Sequence, residues 1–114
     1  KVEYVNYPGL KSSKYHETAK KYFTRGFGGV LTFKLKGDTA NADTLINNVK
    51  LLSHLANVGD AKSLIIHPAA TTHEQLSPED KKASGVEEGL VRVSVGIEHI
   101  EDIIADIEQA IAAI

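Results

Sequence analysis

A chain of 114 residues with 42% hydrophobic and 25% charged residues has the composition of a single globular domain. Its net charge of -2 gives no electrostatic attraction for nucleic acid or an acidic membrane surface, and no apolar run reaches the ~20 residues of a membrane span. Cysteine is absent, which excludes disulfides, thiolate catalysis and thiolate zinc sites and is compatible with a cytoplasmic protein, as we expect this one to be.

The predicted elements alternate between strands and helices along the whole chain. Alternating apolar and polar residues predict strands, and apolar residues spaced by three and four predict helices. In chain order these patterns predict a strand over 2–6, a helix over 12–23, a strand over 30–36, a helix over 41–54, a strand over 63–67, a short helix from 77, a strand over 89–96 and a last helix from 100. The predicted fold class is therefore α+β, a small sheet of about four strands with helices packed on one face, in one domain over 1–114.

The last helix shows the clearest pattern in the chain. Counted from Ile100, its isoleucines fall at offsets of 0, 3, 4, 7, 11 and 14, which is the spacing of one helix face. In the strand before it, Val91, Val93 and Val95 share one face. We predict that the isoleucine face packs on the valine face and that Ile104 lies in the core.

Arg92 is the one charged residue of the strand over 89–96 and lies on the face opposite the valines. A guanidinium there must reach water, a carboxylate partner or a bound anion, because burying it unpaired is costly. Its planar donors match the two oxygens of a carboxylate, so Arg92 is a candidate carboxylate-binding residue. The alternatives are a solvated surface arginine and a partner in a structural salt bridge, and the pattern leaves them open.

Ser63 is the second candidate, because it begins a strand after a glycine-containing loop, where its hydroxyl could assist the same carboxylate. An ordinary strand-edge serine is the alternative. The five histidines show no metal-ligand spacing, so we expect no metal. The glycine-rich segment 25–29 leads into a strand, whereas phosphate-binding loops lead into a helix N-terminus. We interpret Lys62 as a solvated lysine and not as a Schiff-base residue.

Two long segments carry a resemblance to known enzymes. One runs from His54 to His73 and contains Gly-Asp-Ala-Lys-Ser-Leu-Ile-Ile-His-Pro, and the other runs from Gly85 to Glu98 and contains Gly-Leu-Val-Arg-Val-Ser-Val-Gly. Both are similar to the C-terminal domain of the cysteine/methionine-metabolism family of pyridoxal-phosphate (PLP) enzymes and, within it, to the O-acetylhomoserine sulfhydrylases. The segments 5–10 and 28–33 share the likeness, which therefore extends over essentially the whole chain.

The resemblance implies roles for four residues. Family members bind the α-carboxylate of the substrate through the arginine of a Leu-x-Arg-x-Ser-x-Gly strand, here Arg92, and the serine of a Ser-Leu-x-x-x-Pro segment, here Ser63, helps on the same group. The loop that contains Thr72 and His73 is expected near the substrate entrance. The implied reaction is a γ-replacement in which O-acetyl-L-homoserine and sulfide give homocysteine and acetate, with PLP as the electron sink.

The resemblance also implies what these residues lack. The Schiff-base lysine and the other PLP-binding groups of the family belong to a large N-terminal domain, which is a partner outside this sequence. Because those groups are missing here, the resemblance implies an excised C-terminal domain, inactive by itself and with no cofactor bound to it. The opening at Lys1, directly at a predicted strand, and the absence of methionine also hint at a piece of a longer polypeptide. The parent enzyme is expected to be a homotetramer. Three alternatives remain open: a sister enzyme such as a cystathionine γ-synthase or methionine γ-lyase, a free-standing amino-acid-binding module, and an oligomerisation domain.

Overall fold

The computed structural model describes residues 1–71 and 75–114, whose five strands form one mixed sheet in the order β1-β2-β5-β4-β3. Its elements are β1 (Val2–Asn6), α1 (His16–Tyr22), β2 (Val30–Leu35), α2 (Thr39–Asn48), β3 (Ser53–His54), β4 (Leu64–Ile66), a 3-10 turn (Pro68–Ala70), α3 (Pro78–Ala83), β5 (Leu90–Ser94) and α4 (Ile100–Ala112). Neighbouring strands run antiparallel except β3 and β4, which are parallel. The predicted α+β class is confirmed.

The central strand β5 has the two predicted faces. Val91 and Val93 are fully buried, while Arg92 and Ser94 between and after them are only partly buried. The valine face packs against α2 and α4. The core there consists of buried apolar residues from the sheet, the two helices and the segment after α2: Phe33, Leu35, Ala42, Leu45, Ile46, Leu52, Ile65, Val91, Val93, Ile103 and Ala110. This packing leaves the Arg92 side of the sheet outside the main core.

The predicted face of the last helix, α4, is partly wrong. Ile103 is 3% exposed, but Ile100 is 54% exposed and Ile104 is 42% exposed. The buried positions of α4 are Ile103, Asp106 and Ala110, so the inward face includes a carboxylate. The isoleucine spacing misses this face because it counts only apolar residues, whereas Asp106 is drawn inward by hydrogen bonds.

The same aspartate explains why the predicted helix over 41–54 is too long. Helix α2 ends at Asn48, and the carboxylate of Asp106 then accepts the backbone N–H groups of Lys50, Leu51 and Leu52 at 2.7, 2.8 and 3.0 Å. These donors therefore leave the helical pattern. The chain that follows forms β3, a fifth strand of two residues that the sequence pattern does not predict.

Helix α1 begins at His16, four residues after the predicted start, and its apolar stripe lies mostly on the surface. Ala19 is 5% exposed, but Tyr15, Tyr22 and Phe23 are 56%, 68% and 53% exposed. The helix follows β1, the edge strand of the sheet, most of which is itself exposed. Because α1 lies beyond this edge, it does not join the core made by α2 and α4.

Candidate functional site

Arg92 lies at the middle of β5, directly between Thr32 of β2 and Ile66 of β4. Its side chain lines a shallow recess together with residues of β4, β5 and the loop after β3: Leu55, Ala56, Leu64, Ile65, Ile66 and Ser94. Among residues 1–71 and 75–114, no hydrogen bond or ion pair reaches its guanidinium. Within the described residues, the recess therefore holds a planar cationic fork of the kind that pairs with a carboxylate, and its donors have no acceptor there.

Lys34 is an instructive neighbour, since it lies on β2 two residues from Thr32, on the same side of the sheet. Its ammonium lies 2.8 Å from the Glu87 carboxylate and 3.6 Å from that of Glu3. The hydrogen bond to Glu87 raises the pKa of Lys34. Of these two cations on one face, the lysine has carboxylate partners within the chain and Arg92 has none in the part that the structure describes.

Ser63 is fully buried immediately before β4. Its carbonyl oxygen accepts the backbone N–H of Ser53 at 3.0 Å, and its other polar contacts come from the C-terminal part of the chain. Its backbone N–H donates to Oε1 of Glu98 at 2.7 Å, and its hydroxyl donates to Oε2 of the same carboxylate at 2.7 Å. The hydroxyl oxygen in turn accepts the backbone N–H of Gly96 at 2.8 Å. We call Ser63, Gly96 and Glu98 the serine clamp.

Glu98 is the residue of this region that sequence reasoning missed. The backbone N–H of Ser63, and then its hydroxyl, lower the pKa of Glu98, so the carboxylate is ionised at neutral pH. The available signal was a lone acidic residue two positions after the Leu-x-Arg-x-Ser-x-Gly segment and just before a helix. Nothing in that pattern names the serine as its partner, since 35 positions separate the two.

Ser63 lies immediately before β4, which pairs with the Arg92 strand β5, and strand alternation extended to Ser63 puts its side chain on the side of the sheet opposite Arg92. Ile66 is directly opposite Arg92, and Ser63 is three residues before Ile66. Because side chains alternate along a strand, an odd separation puts them on opposite faces. A ligand that touches both residues would meet the guanidinium of Arg92 and the β4 backbone at Ser63.

Thr72 and His73, the predicted loop residues, lie outside the described residues. Just before them, the hydroxyl of Thr71 donates to the carbonyl oxygen of His67 at 2.8 Å. His67 is 1% exposed, with Nδ1 3.2 Å from the Asp43 carboxylate and Nε2 buried without a partner among the described residues. Within residues 1–71 and 75–114, no three histidine, aspartate or glutamate side chains are grouped so as to hold a metal ion. In that same part of the chain, no helix is long and apolar enough to cross a membrane.

Comparison with known families gives this arrangement its context. Residues 1–112 match the family described as Cys/Met metabolism PLP-dependent enzyme. The chain belongs to this family. The match confirms the resemblance inferred from the segments around Ser63 and Arg92, and it assigns the domain to a family of PLP-dependent enzymes.

Individual members of the Cys/Met-metabolism family are similar to this chain over nearly its whole length. O-acetyl-L-homoserine sulfhydrylase 1 of Thermus thermophilus is 53% identical over 97% of this chain and 26% of its own length. L-Methionine gamma-lyase of Fusobacterium nucleatum subsp. polymorphum is 47% identical over 100% of this chain and 29% of its own length. A Campylobacter jejuni structure that bears the name O-acetylhomoserine (thiol)-lyase and contains a pyridoxyl-lysine superposes with a TM-score of 0.90 at 46% identity, over 97% of this chain and 26% of that one. The chain thus spans about a quarter of the length of these relatives.

The described residues of this family member do not fit PLP by themselves. The glycine-rich segment 26–29 leads into β2, so it presents no helix N-terminus to a phosphate. Lys62 is exposed, in a turn held by Asp60, whose carboxylate accepts its backbone N–H at 2.9 Å. An exposed ammonium of this kind is not desolvated, as an activated Schiff-base lysine would be. What the described residues offer chemically is the Arg92 guanidinium, which has no acceptor among them.

Proposed function

We propose that this chain is the C-terminal, substrate-carboxylate-binding part of a PLP-dependent O-acetylhomoserine sulfhydrylase. The parent reaction converts O-acetyl-L-homoserine and sulfide into homocysteine and acetate: a carbon–sulfur bond forms at the γ-carbon as acetate leaves. The observation that carries the proposal is the Arg92 guanidinium, which has no partner among the described residues and lies in a recess beside β4. The sulfhydrylase names of the similar proteins support the choice of reaction.

Arg92 would bind the α-carboxylate of the amino-acid substrate through two parallel N–H donors. Ser63, just before β4, would assist on the same group through its backbone N–H, which for that must exchange Glu98 for the substrate oxygen. The loop containing Thr72 and His73 would lie near the substrate entrance. Binding the carboxylate orients the substrate, which is a large part of what a protein contributes to a cofactor reaction.

The remaining parts of the enzyme belong to the proposal as well. PLP, which supplies the electron sink, would be held by a larger N-terminal domain, and the 114 residues alone would be inactive. That division is supported by the poor fit of Lys62 and of segment 26–29 to a cofactor site. We further propose a homotetrameric, cytoplasmic parent enzyme.

The test is Arg92→Ala in the full-length protein that carries this chain. We expect kcat/KM for O-acetyl-L-homoserine to fall by about 100-fold or more, because the charge-assisted bidentate contact is worth roughly 3 kcal/mol. Arg92→Lys should recover only part of the loss, since an ammonium lacks the planar fork.

The matched control is Arg25→Ala, which removes the chain's other arginine from an exposed position far from β5 in sequence. It should leave kcat/KM unchanged. If Arg92→Ala behaves like this control, Arg92 does not bind the substrate carboxylate. If Arg92→Ala changes the assembly state and leaves kcat/KM unchanged, the chain is an oligomerisation domain.

A sister activity is the second candidate, favoured by the 47% identity to an L-methionine gamma-lyase. A lyase would release methanethiol from L-methionine, while a sulfhydrylase would consume sulfide with O-acetyl-L-homoserine. A cystathionine γ-synthase would instead join cysteine to the same four-carbon unit. Comparing these three substrate pairs on the full-length protein separates the activities. A protein that binds amino acids without converting any of them would be the binding module.

A further inference from the structure

The serine clamp joins the start of β4 to the end of β5 through three hydrogen bonds. The Glu98 carboxylate holds both donors of Ser63, and the Ser63 hydroxyl oxygen holds the Gly96 N–H. A backbone bond from Ile97 to the Ala61 carbonyl, at 2.9 Å, closes the same corner. Because Ser63 is fully buried, water does not replace Glu98 as its partner while the clamp is closed.

Gly96 shows how closely the two strands approach in the clamp. A Cβ at this position would collide with the Ala61 carbonyl oxygen and the Ser63 nitrogen. The φ angle of Gly96 is not in the left-handed region, so the glycine is required by space and not by backbone conformation. The last residue of the Leu-x-Arg-x-Ser-x-Gly segment thus has a physical role, which is to let Ser63 and Glu98 meet.

The residues next to the clamp form part of the wall of the Arg92 recess. Leu64 and Ile66, the residues that follow Ser63, line this recess, and they stand opposite Ser94 and Arg92. A shift at Ser63 therefore moves the recess wall relative to the guanidinium. We propose that Glu98 is a positioning residue for carboxylate binding: it holds the Ser63 end of β4 in register with β5, and so fixes the recess around Arg92. This inference rests on the proposed role of Arg92 and extends it to a residue outside the recess.

The experiment measures binding of two ligands to the full-length holoenzyme by calorimetry. L-Norleucine carries an α-carboxylate and no γ-leaving group, and pentylamine is the same molecule without the carboxylate. In Glu98→Gln, one oxygen can still accept from Ser63, but the amide nitrogen faces the second donor. We expect the Kd of norleucine to rise by about tenfold, the usual consequence of losing one charge-assisted hydrogen bond, while that of pentylamine changes less than about twofold.

The matched control is Glu108→Gln, which makes the same substitution at an exposed position of α4 and should bind both ligands as the unmodified protein does. Hydrogen–deuterium exchange gives a second readout: the backbone of 61–66 should exchange faster in Glu98→Gln and not in Glu108→Gln. Unchanged or tighter norleucine binding by Glu98→Gln overturns the positioning role. So does an equal loss of both ligands, which would mark a general structural effect.

Two more variants keep the outcomes separate. If Arg92→Ala still prefers norleucine to pentylamine, the proposed function fails, whatever Glu98→Gln does. If Arg92→Ala loses the preference and Glu98→Gln keeps it, only the positioning role fails. Should Glu98→Gln not fold, Glu98→Asp replaces it: the charge stays but the shorter side chain reaches one donor, so norleucine binding should weaken by about threefold. Unweakened binding by Glu98→Asp in that case overturns the inference.

Discussion

Two carboxylates hold the starts of the two parallel strands, in different surroundings. Asp106, on α4, is 6% exposed and accepts the backbone N–H groups of residues 50–52 just before β3. Glu98, before the same helix, is partly exposed and accepts the N–H and hydroxyl of Ser63 just before β4. In both places a side chain from the C-terminal segment satisfies backbone donors that the sheet leaves unpaired.

The difference between them lies in their partners. Asp106 is bonded to main-chain N–H groups and to the amide of Gln109 on its own helix, at 3.1 Å, so its contacts change only if the fold changes. Glu98 is bonded to one residue, Ser63, whose hydroxyl can rotate and whose strand lines the Arg92 recess. The comparison suggests that the buried carboxylate supports the fold and that the partly exposed one supports the site.

Of the substitutions at the two carboxylates, Asp106→Ala should have the larger effect on stability. It leaves the three N–H groups of residues 50–52 without their acceptor in a nearly buried place, and we expect a loss of about 3 kcal/mol in the free energy of unfolding. Urea denaturation of the 114-residue chain measures it. Glu108→Ala, on the exposed side of the same helix, is the control and should change the midpoint little.

Urea denaturation can also test whether Asp106 and Glu98 differ in their contribution to stability. Glu98→Ala should lower the urea midpoint by less than Asp106→Ala, because water can reach the opened corner at Glu98. Equal shifts would mean that the clamp supports the fold as much as the site. An unchanged midpoint for Asp106→Ala would mean that its hydrogen bonds add nothing to stability.

The decrease in the free energy of unfolding at acidic pH should depend on the ionisation of Asp106. Burial by itself raises the pKa of Asp106, but the N–H groups of Leu52, Lys50 and Leu51 outweigh it, and the pKa lies below its ordinary value of 3.8. The folded chain thus binds this proton more weakly than the unfolded chain, so the stabilisation is complete above about pH 5 and is lost as the pH falls through ~4 towards the folded pKa. Asp106→Asn should flatten the unfolding free energy in that range. A pH profile parallel to that of the unmodified chain would contradict this.

Much of the fold follows from local pattern, and several of the wrongly predicted features, apart from those of α1, share one source. The central strand is predicted correctly because Val91 and Val93 alternate with Arg92 and Ser94, and local alternation is what a half-buried strand requires. The end of α2, the strand β3 and part of the inward face of α4 differ from the prediction because all three involve Asp106. Ile103, Ile107, Ile111 and Ile114 of the predicted face do pack on the core. The bond that joins Asp106 to Lys50 spans 56 positions, and no local window contains both residues.

The candidate site divides in the same way. Arg92 stands out in the sequence because a charge in the middle of an apolar strand needs a partner, and the structure places it in a recess without one among the described residues. Ser63 is singled out only by its position after a loop and by the family resemblance. Its actual partner, Glu98, is invisible to pattern, since the contact depends on β4 and β5 pairing side by side.

A third carboxylate, introduced by Ile104→Asp, should have the smallest effect on the free energy of unfolding. It would extend the comparison of Asp106 with Glu98 to a carboxylate that has no hydrogen-bond donors from the chain. Ile104 is 42% exposed and lies two residues before Asp106, so an aspartate there can remain in water without hydrogen-bond donors from the chain. We expect Ile104→Asp to change the free energy of unfolding by less than about 1 kcal/mol, measured by urea denaturation. Ile103→Ala, at the 3% exposed neighbour, should cost about 2 to 5 kcal/mol because it opens a cavity. A large loss for Ile104→Asp would show that the apolar face predicted from the isoleucine spacing is buried after all, and that Asp106 does not set the orientation of α4.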